Sequence, residues 1–203
     1  MLAIIDYGLG NLHSVANMVR HLGGQYIITS DPDEIASARK LILPGVGAFD
    51  HGMRALSSKG IITAFTKSVI QRSVPVLGIC LGMQLLARKS EEGSLAGLGW
   101  LDADVRRFRL PAESNLKIPH MGWNRVDIVK SSPLFGPGMD EQRFYFVHSY
   151  HVVCNNSADV LGTAFHGIRF CAAFQKENIF GVQFHPEKSH RFGMALIKRF
   201  LEL

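Results

Sequence analysis

Residues 74–86 read "VPVLGICLGMQLL", a β-branched apolar run, then Cys80 with a glycine two residues to either side, then a run of helix formers. A short apolar segment that gives way abruptly to helix-forming residues predicts a buried strand feeding a helix. The same grammar recurs upstream. "LAIIDY" (2–7) predicts a first strand, and "GLGN" opens a helix through "LHSVANMVRHLGG". There Leu12, Val15, Met18, Val19 and Leu22 share one face, and Gly23 and Gly24 stop the helix. "QYIIT" (25–29) predicts a second strand, followed by "SDPDEIASA", where Ser30 or Asp31 caps a short helix with Pro32 just inside it. "KLILPG" (40–45) is a third strand, and a helical region follows from about 50 to 71, interrupted near Gly60. Apolar strands alternating with helices predict a parallel sheet covered on both faces.

Beyond Gly97 the pattern changes. "GWLDADVRRF", "NRVDIV", "RFYFVHSYHVV", "GTAFHG", "FCAAFQ" and "IFGVQF" are strand-like and joined by Gly, Pro, Asn and Asp turns, before a closing amphipathic helix, "HRFGMALIKRFLEL". No repeat or interdomain linker interrupts the chain. The expectation is one α/β domain over 1–203, with a mostly parallel central sheet flanked by helices and a strand-rich second half.

Composition narrows the function classes. At 203 residues, 47% hydrophobic and 19% charged, the chain suits one ordinary globular domain. No apolar run approaches the ~18 residues of a membrane span, and "MLAIIDYGLGN" reads as a strand rather than a secretion signal. The three cysteines, Cys80, Cys154 and Cys171, are odd in number and far apart, which is no disulfide framework. A cytoplasmic setting follows as the expectation. The net charge of +5 is scattered, and the basic stretches "VRRFRL" and "HRFGMALIKRF" lack an aromatic-basic recognition pattern, so no nucleic-acid partner is expected.

"DYGLGNLHS" follows a strand and opens a helix, as a dinucleotide fingerprint does. His13 stands where the third glycine belongs, however, and Asp31 sits beside Pro32 in a turn. A tight turn with Asn11 reaching a neighbouring loop is the better reading. "PGVGAFD" lacks the Lys-Ser/Thr of a phosphate loop, and no group of His, Cys, Asp and Glu has metal-ligand spacing.

Cys80 has two readings, since cysteine is among the most often buried residues. The other is a nucleophile on a strand–turn–helix elbow, where flanking glycines relieve crowding and the free N–H groups of the helix start favour a thiolate and a neighbouring oxyanion. A thiol nucleophile also needs a base and a group to orient it. In "FGVQFHPEKSH", His185 ends an apolar strand and Glu187 follows across Pro186. An oxyanion hole needs two donors. One is the Leu81 N–H, and "LPGVGAF" after the third strand fits the other, because Gly45 and Gly47 let its backbone approach and turn, although a plain turn after a strand reads the same way.

Together these pieces resemble the class I, triad-type glutamine amidotransferases. Within that group the chain is similar to the glutaminase subunits of imidazole glycerol phosphate synthase. The resemblance rests on "IIDYGLGNLHSV", "LPGVGAFD", "GICLGMQLL", "SEEG" with "GLGW", "PHMGWN", "FYFVHSY" and "GVQFHPEKS", spread over the whole chain. It implies a flavodoxin-like sheet and attack of Cys80 on the side-chain amide of L-glutamine. Ammonia would leave, and a γ-glutamyl thioester would be hydrolysed to glutamate. His185 would take the thiol proton, protonate the leaving amine and later activate water, with Glu187 orienting it. Gln84 and Glu92 match positions that hold the amino-acid end of glutamine, His148, Ser149 and Tyr150 match the opposite pocket wall, and Gly47, or the Val46–Gly47 peptide, matches the second oxyanion donor. Asn11, Pro119, Met121, Trp123, Tyr145 and Lys188 match positions near a subunit interface or gate. No cofactor or metal is implied. The implied partner is a (β/α)₈-barrel cyclase subunit forming a heterodimer. It would use the ammonia to convert a phosphoribulosyl-formimino ribotide to imidazole glycerol phosphate and an aminoimidazole carboxamide ribotide, in histidine biosynthesis.

Trp100, His190 and Phe192 depart from the usual residues at their positions. Related paralogues feed sugar amidation in bacterial surface-polysaccharide synthesis, so the acceptor pathway stays open at this point. A stand-alone γ-glutamyl thiol hydrolase is a further alternative.

Overall fold

A computed structural model describes residues 1–136 and 142–203. Strands β1 (Leu2–Ile5), β2 (Tyr26–Thr29), β3 (Lys40–Gly45) and β4 (Val76–Cys80) alternate with helices α1 (Leu12–His21), α2 (Pro32–Ser37), α3 (Phe49–Ser58) and α4 (Ile62–Thr66). Helix α5 (Leu81–Leu85) starts directly from the end of β4. The N-cap of α2 is Asp31, whose carboxylate accepts from the N–H groups of Asp33 (2.8 Å) and Glu34 (3.3 Å), with Pro32 at the first helical position. The break in the long helical region lies at Gly60, whose φ of +68° ends α3 in a left-handed turn.

The second half contributes β5 (Lys89–Ser90), β6 (Ala103–Arg107), β7 (His120–Ile128), β8 (Gln142–His148), β9 (Tyr150–Cys154), β10 (Val160–His166), β11 (Ile168–Lys176) and β12 (Ile179–Val182), and helix α6 (His190–Glu202) closes the chain. The apolar stretch "RFYFVHSYHVV" is two strands rather than one. β8 pairs with β7, while β9 turns away at Ser149 to pair with β6 and β11. β7 also begins earlier than its apolar pattern indicates and takes in "HMGW".

The main path of the sheet runs β2-β1-β3-β4-β12-β11-β10-β7-β8. β2, β1, β3, β4 and β12 are mutually parallel, and β11 onward is antiparallel. The last strand in sequence order thus completes the parallel half. Alternation in β1 sorts side chains to the two faces. Ala3 and Ile5 join a core with Phe49, Leu56, Phe65 and Leu85 of the α3–α5 side. Leu2 and Ile4 join Val15 and Val19 of α1 and Leu196 and Phe200 of α6. Burial on both faces explains why β3 and β4 are continuously apolar instead of alternating. In such sheets ligands bind at the carboxyl ends of the parallel strands, and the residues after β1, β3, β4 and β12 include Asn11, Val46, Leu81 and His185.

Candidate active site

Cys80 ends β4 with φ +54° and ψ −110°, an unusual conformation for a residue with a side chain. Its surroundings hold it there. A Cβ on Gly82 would lie 1.8 Å from the Leu43 carbonyl oxygen, and one on Gly78 would lie 2.8 Å from Met83 Cα. The two glycines therefore let α5 fold back against β3 and β4, which aims the thiol out of the sheet end.

Cys80 opens onto a cleft of about 340 Å³ lined by Val46, Gly47, Leu81, Gln84, Glu92, Pro119, Val147, His148, Ser149, Tyr150 and His185. His185 and Cys80 face the same cleft from adjacent parallel strand ends. Behind His185, Glu187 Oε1 lies 2.8 Å from Nδ1, and the same oxygen accepts a 3.0 Å bond from Asn11 Nδ2. His185 and Glu187 side chains are each only 2% exposed. Phe184, next to His185 in sequence, stacks on Phe144 at 3.8 Å in the core on the α1–α6 face of the sheet, which anchors this segment.

Burial alone would push the His185 pKa down. The Cys80 thiol and the Glu187 carboxylate outweigh burial and raise it to about 10. His185 Nε2 is buried and makes no hydrogen bond among the described residues, which leaves it open toward the cleft that it shares with Cys80. Burial disfavours the Glu187 carboxylate too, but the bonds from His185 and Asn11 hold its pKa below the usual value. The site therefore stabilises an imidazolium–carboxylate pair next to the thiol. Tyr7, the last residue of "IIDY", lies under the elbow. Burial, and then the neighbouring sulfur, push its hydroxyl well above the ordinary range.

The loop after β3 exposes Val46 and Gly47, and Gly47 has φ +103° with open space where a Cβ would be. A clasp ties this loop to residues 90–95. Glu92 Oε2 accepts from the Phe49 N–H at 2.8 Å, and the Asp50 carboxylate accepts from the Ser94 and Leu95 N–H groups, both at 3.1 Å. Glu92 thus faces the cleft while also capping α3. The bonds from Ser94 and Leu95 hold the Asp50 pKa down.

On the far wall, Gln84 Nε2 donates to the Tyr150 carbonyl (3.1 Å) and to Gln183 Oε1 (3.0 Å), which leaves its own carbonyl oxygen for a ligand. His148 Nδ1 lies 2.7 Å from the Tyr150 carbonyl, and its Nε2 lies 2.9 Å from His120 Nδ1. His120 Nε2 lies 3.1 Å from Asn124 Nδ2. A carbonyl only accepts, so His148 carries its proton on Nδ1, His120 donates from Nδ1, and Asn124 donates to His120 Nε2. Both rings are neutral in this chain of bonds. Burial, followed by the nearby His166, lowers His120 to about 4, and burial lowers His148 well below the ordinary value.

Of the residues matched to an interface or gate, Pro119 lines the cleft and Asn11 bonds the buried carboxylate. Met121 (62% exposed) and Trp123 (47%) lie on the surface. Tyr145 sits 6.3 Å from Trp123, and Lys188 Nζ lies 5.7 Å over the Tyr145 ring. This patch touches the site through the backbone, since the His185 N–H donates to the Tyr145 carbonyl at 2.9 Å. Sequence reasoning missed Val147, which lines the cleft, and Gln183, whose Nε2 lies 3.7 Å from Cys80 Sγ. The only signal for Gln183 was a polar residue at the end of an otherwise apolar strand.

A sequence profile of the glutamine amidotransferase class-I family matches residues 3–203. A protein of Methanococcus maripaludis named imidazole glycerol phosphate synthase subunit HisH 2 is 50% identical, over 100% of this chain and 99% of its own. One of the same name from Pseudomonas aeruginosa is 46% identical over 100% of both chains. In fold, the crystal structure of a glutamine amidotransferase from Thermotoga maritima is similar with a TM-score of 0.65 at 21% identity, covering 99% of this chain and 80% of that one.

Proposed function

The chain belongs to the class-I glutamine amidotransferase family, and on that premise we propose that it is the glutaminase subunit of imidazole glycerol phosphate synthase, with Cys80, His185 and Glu187 as its triad. The observation that carries the reading is the meeting of an elbow thiol, an imidazole and a buried carboxylate at one cleft, in a chain alike over its full length to subunits of that name.

In this reading Cys80 Sγ, as a thiolate with its proton on His185, attacks the side-chain carbonyl carbon of L-glutamine. The oxyanion develops between the Leu81 N–H and the Val46–Gly47 peptide. Collapse breaks the C–N bond, and His185 delivers its proton to the departing nitrogen, so ammonia leaves and a γ-glutamyl thioester remains. Water, losing a proton to His185, then releases glutamate and restores the thiol. Gln84, Glu92, His148, Ser149 and Tyr150 bound the space for the amino-acid end of glutamine. Its partner is a (β/α)₈-barrel cyclase that consumes the ammonia in histidine biosynthesis, in the cytoplasm. The patch of Met121, Trp123, Tyr145 and Lys188, with Pro119 and Asn11 inward of it, faces that partner.

The test is glutamate release with and without a barrel subunit loaded with its ribotide, alongside formation of imidazole glycerol phosphate. Turnover from glutamine that needs the loaded partner and vanishes in Cys80→Ala supports the proposal, and a complex that makes no imidazole glycerol phosphate sinks it. A second acceptor has one observation in its favour, since both relatives are numbered 2 in their names, as a second copy would be. Ammonia delivered only to a sugar-amidating partner would establish that reading instead.

A further inference from the structure

Gln183 is fully buried and lies immediately after β12, where the register pairs Val182 with Ile79 and so sets Gln183 beside Cys80. Its backbone N–H is fixed on the Ala172 carbonyl at 2.9 Å. The orientation of its side-chain amide follows from its neighbours. Gln84 must present Nε2 to the Tyr150 carbonyl, because a carbonyl only accepts. That nitrogen also faces Gln183 at 3.0 Å, so Gln183 presents Oε1 to it and turns Nε2 toward Cys80 Sγ, 3.7 Å away. A glutamine in an apolar strand end is thereby held, at both ends of its amide, between the thiol and a residue of the glutamine pocket.

We infer that Gln183 is a positioning residue for the nucleophile, whose amide N–H donates to the Cys80 sulfur, favours its thiolate form and holds it in the attacking orientation. The inference rests on the proposed glutaminase reading only for its catalytic consequence. An N–H donor gains strength when its acceptor becomes an anion, and loses it when the sulfur is acylated. Gln183 therefore supports the thiolate more than the thioester, and it does so without contacting glutamine. Through Gln84, the same amide is braced by the wall that the substrate meets.

The test uses the pH dependence of Cys80 alkylation by iodoacetamide in the full chain, read by mass spectrometry on the Cys80 peptide so that Cys154 and Cys171 do not interfere. Gln183→Met keeps the length and removes the donor. It should raise the midpoint of the alkylation profile by about one pH unit, a loss of about tenfold in rate on the acid side of that profile. In the complex with the barrel subunit, kcat should fall by about the same factor, with KM for glutamine within about threefold. Gln183→Glu is isosteric, keeps the acceptor for Gln84 and lacks the N–H, so it should raise the midpoint at least as far and covers the case in which the methionine variant fails to fold. A midpoint unchanged or lowered in a folded variant overturns the inference. A wild-type chain whose Cys80 alkylates with this dependence on Gln183, yet releases no glutamate with its partner, would sink the glutaminase reading and leave the inference standing.

Discussion

The His185 ring shows how three buried groups settle one another's charge. Alone in this pocket it would be neutral, because burial disfavours the imidazolium. The sulfur in front and the carboxylate behind reverse that and raise its pKa to about 10. A histidine whose folded pKa exceeds its unfolded value stabilises the fold fully below the unfolded value, near 6.5, and that stabilisation is lost as pH rises through about 10. In the proposed mechanism, the proton needed by the departing nitrogen disappears in the same window. We expect kcat for glutamate release to hold across neutral pH and to fall as pH approaches 10. Glu187→Gln keeps an oxygen that accepts from Nδ1 but removes the charge behind the ring, so its alkaline limb should move to lower pH, and kcat should drop by roughly 10²–10⁴ as the imidazolium loses its counter-charge. A pH–rate profile of both proteins checks both statements. An alkaline limb at the same pH in the variant would assign it to another group. Asn11 shares Oε1 with His185 and leaves the carboxylate's charge in place. Asn11→Ala should therefore lower kcat by less than Glu187→Gln, about tenfold, in the same assay.

The β4–α5 elbow is the element that turns a buried strand into a site, and it depends on backbone packed too tightly for a methyl group. Gly82→Ala would set its Cβ 1.8 Å from the Leu43 carbonyl, where no side-chain rotation gives relief. The expected cost is about 3 kcal/mol or more, seen as a large drop in melting temperature or loss of soluble protein. An alanine variant that melts with the wild type would mean that β3 yields easily. This element was legible in advance because its signals are local, namely an apolar run, two glycines and a helix-forming run within thirteen residues. The same holds for His185 and Glu187, which are two residues apart. What was hidden depends on contacts that no local pattern carries. Asn11 reads as reaching a neighbouring loop, but its partner Glu187 lies 176 residues away, Gln183 reaches Cys80 across 103, and Asp50 clasps Ser94 across 44. The split of "RFYFVHSYHVV" at Ser149 was hidden for another reason. Its apolar pattern suits one long strand, and only the choice of partners, β7 for one half and β6 with β11 for the other, bends it.

Across the whole molecule the cleft lies on a seam. The parallel half supplies Cys80 and His185, and the antiparallel half supplies the wall of His148, Ser149 and Tyr150, with β12 belonging to both by pairing β4 on one side and β11 on the other. Behind the wall, His120 and His148 pack with His151 and His166 around Phe108 and Phe170. The chain of hydrogen bonds through His120 and His148 requires those two imidazoles to be neutral. Protonating His120 Nε2 would set an N–H against the Asn124 amide, and protonating His148 Nε2 would set one against His120. Their folded pKa values are depressed, mainly by burial, to about 4 for His120. The unfolded chain therefore binds more protons than the native one between pH 6.5 and 4, and stability falls as pH drops through that window. For His120 alone the loss between pH 7 and 5 is about 2 kcal/mol, from a pKa near 6.5 unfolded and about 4 folded. Urea unfolding at the two pH values should show at least that difference. His120→Gln, which keeps a polar group and does not titrate, should remove about 2 kcal/mol of it. Because the same rings brace the cleft wall, KM for glutamine should rise in the wild type over this window before the protein unfolds. A variant with the same acid sensitivity as the wild type would place the titrating group elsewhere in the molecule.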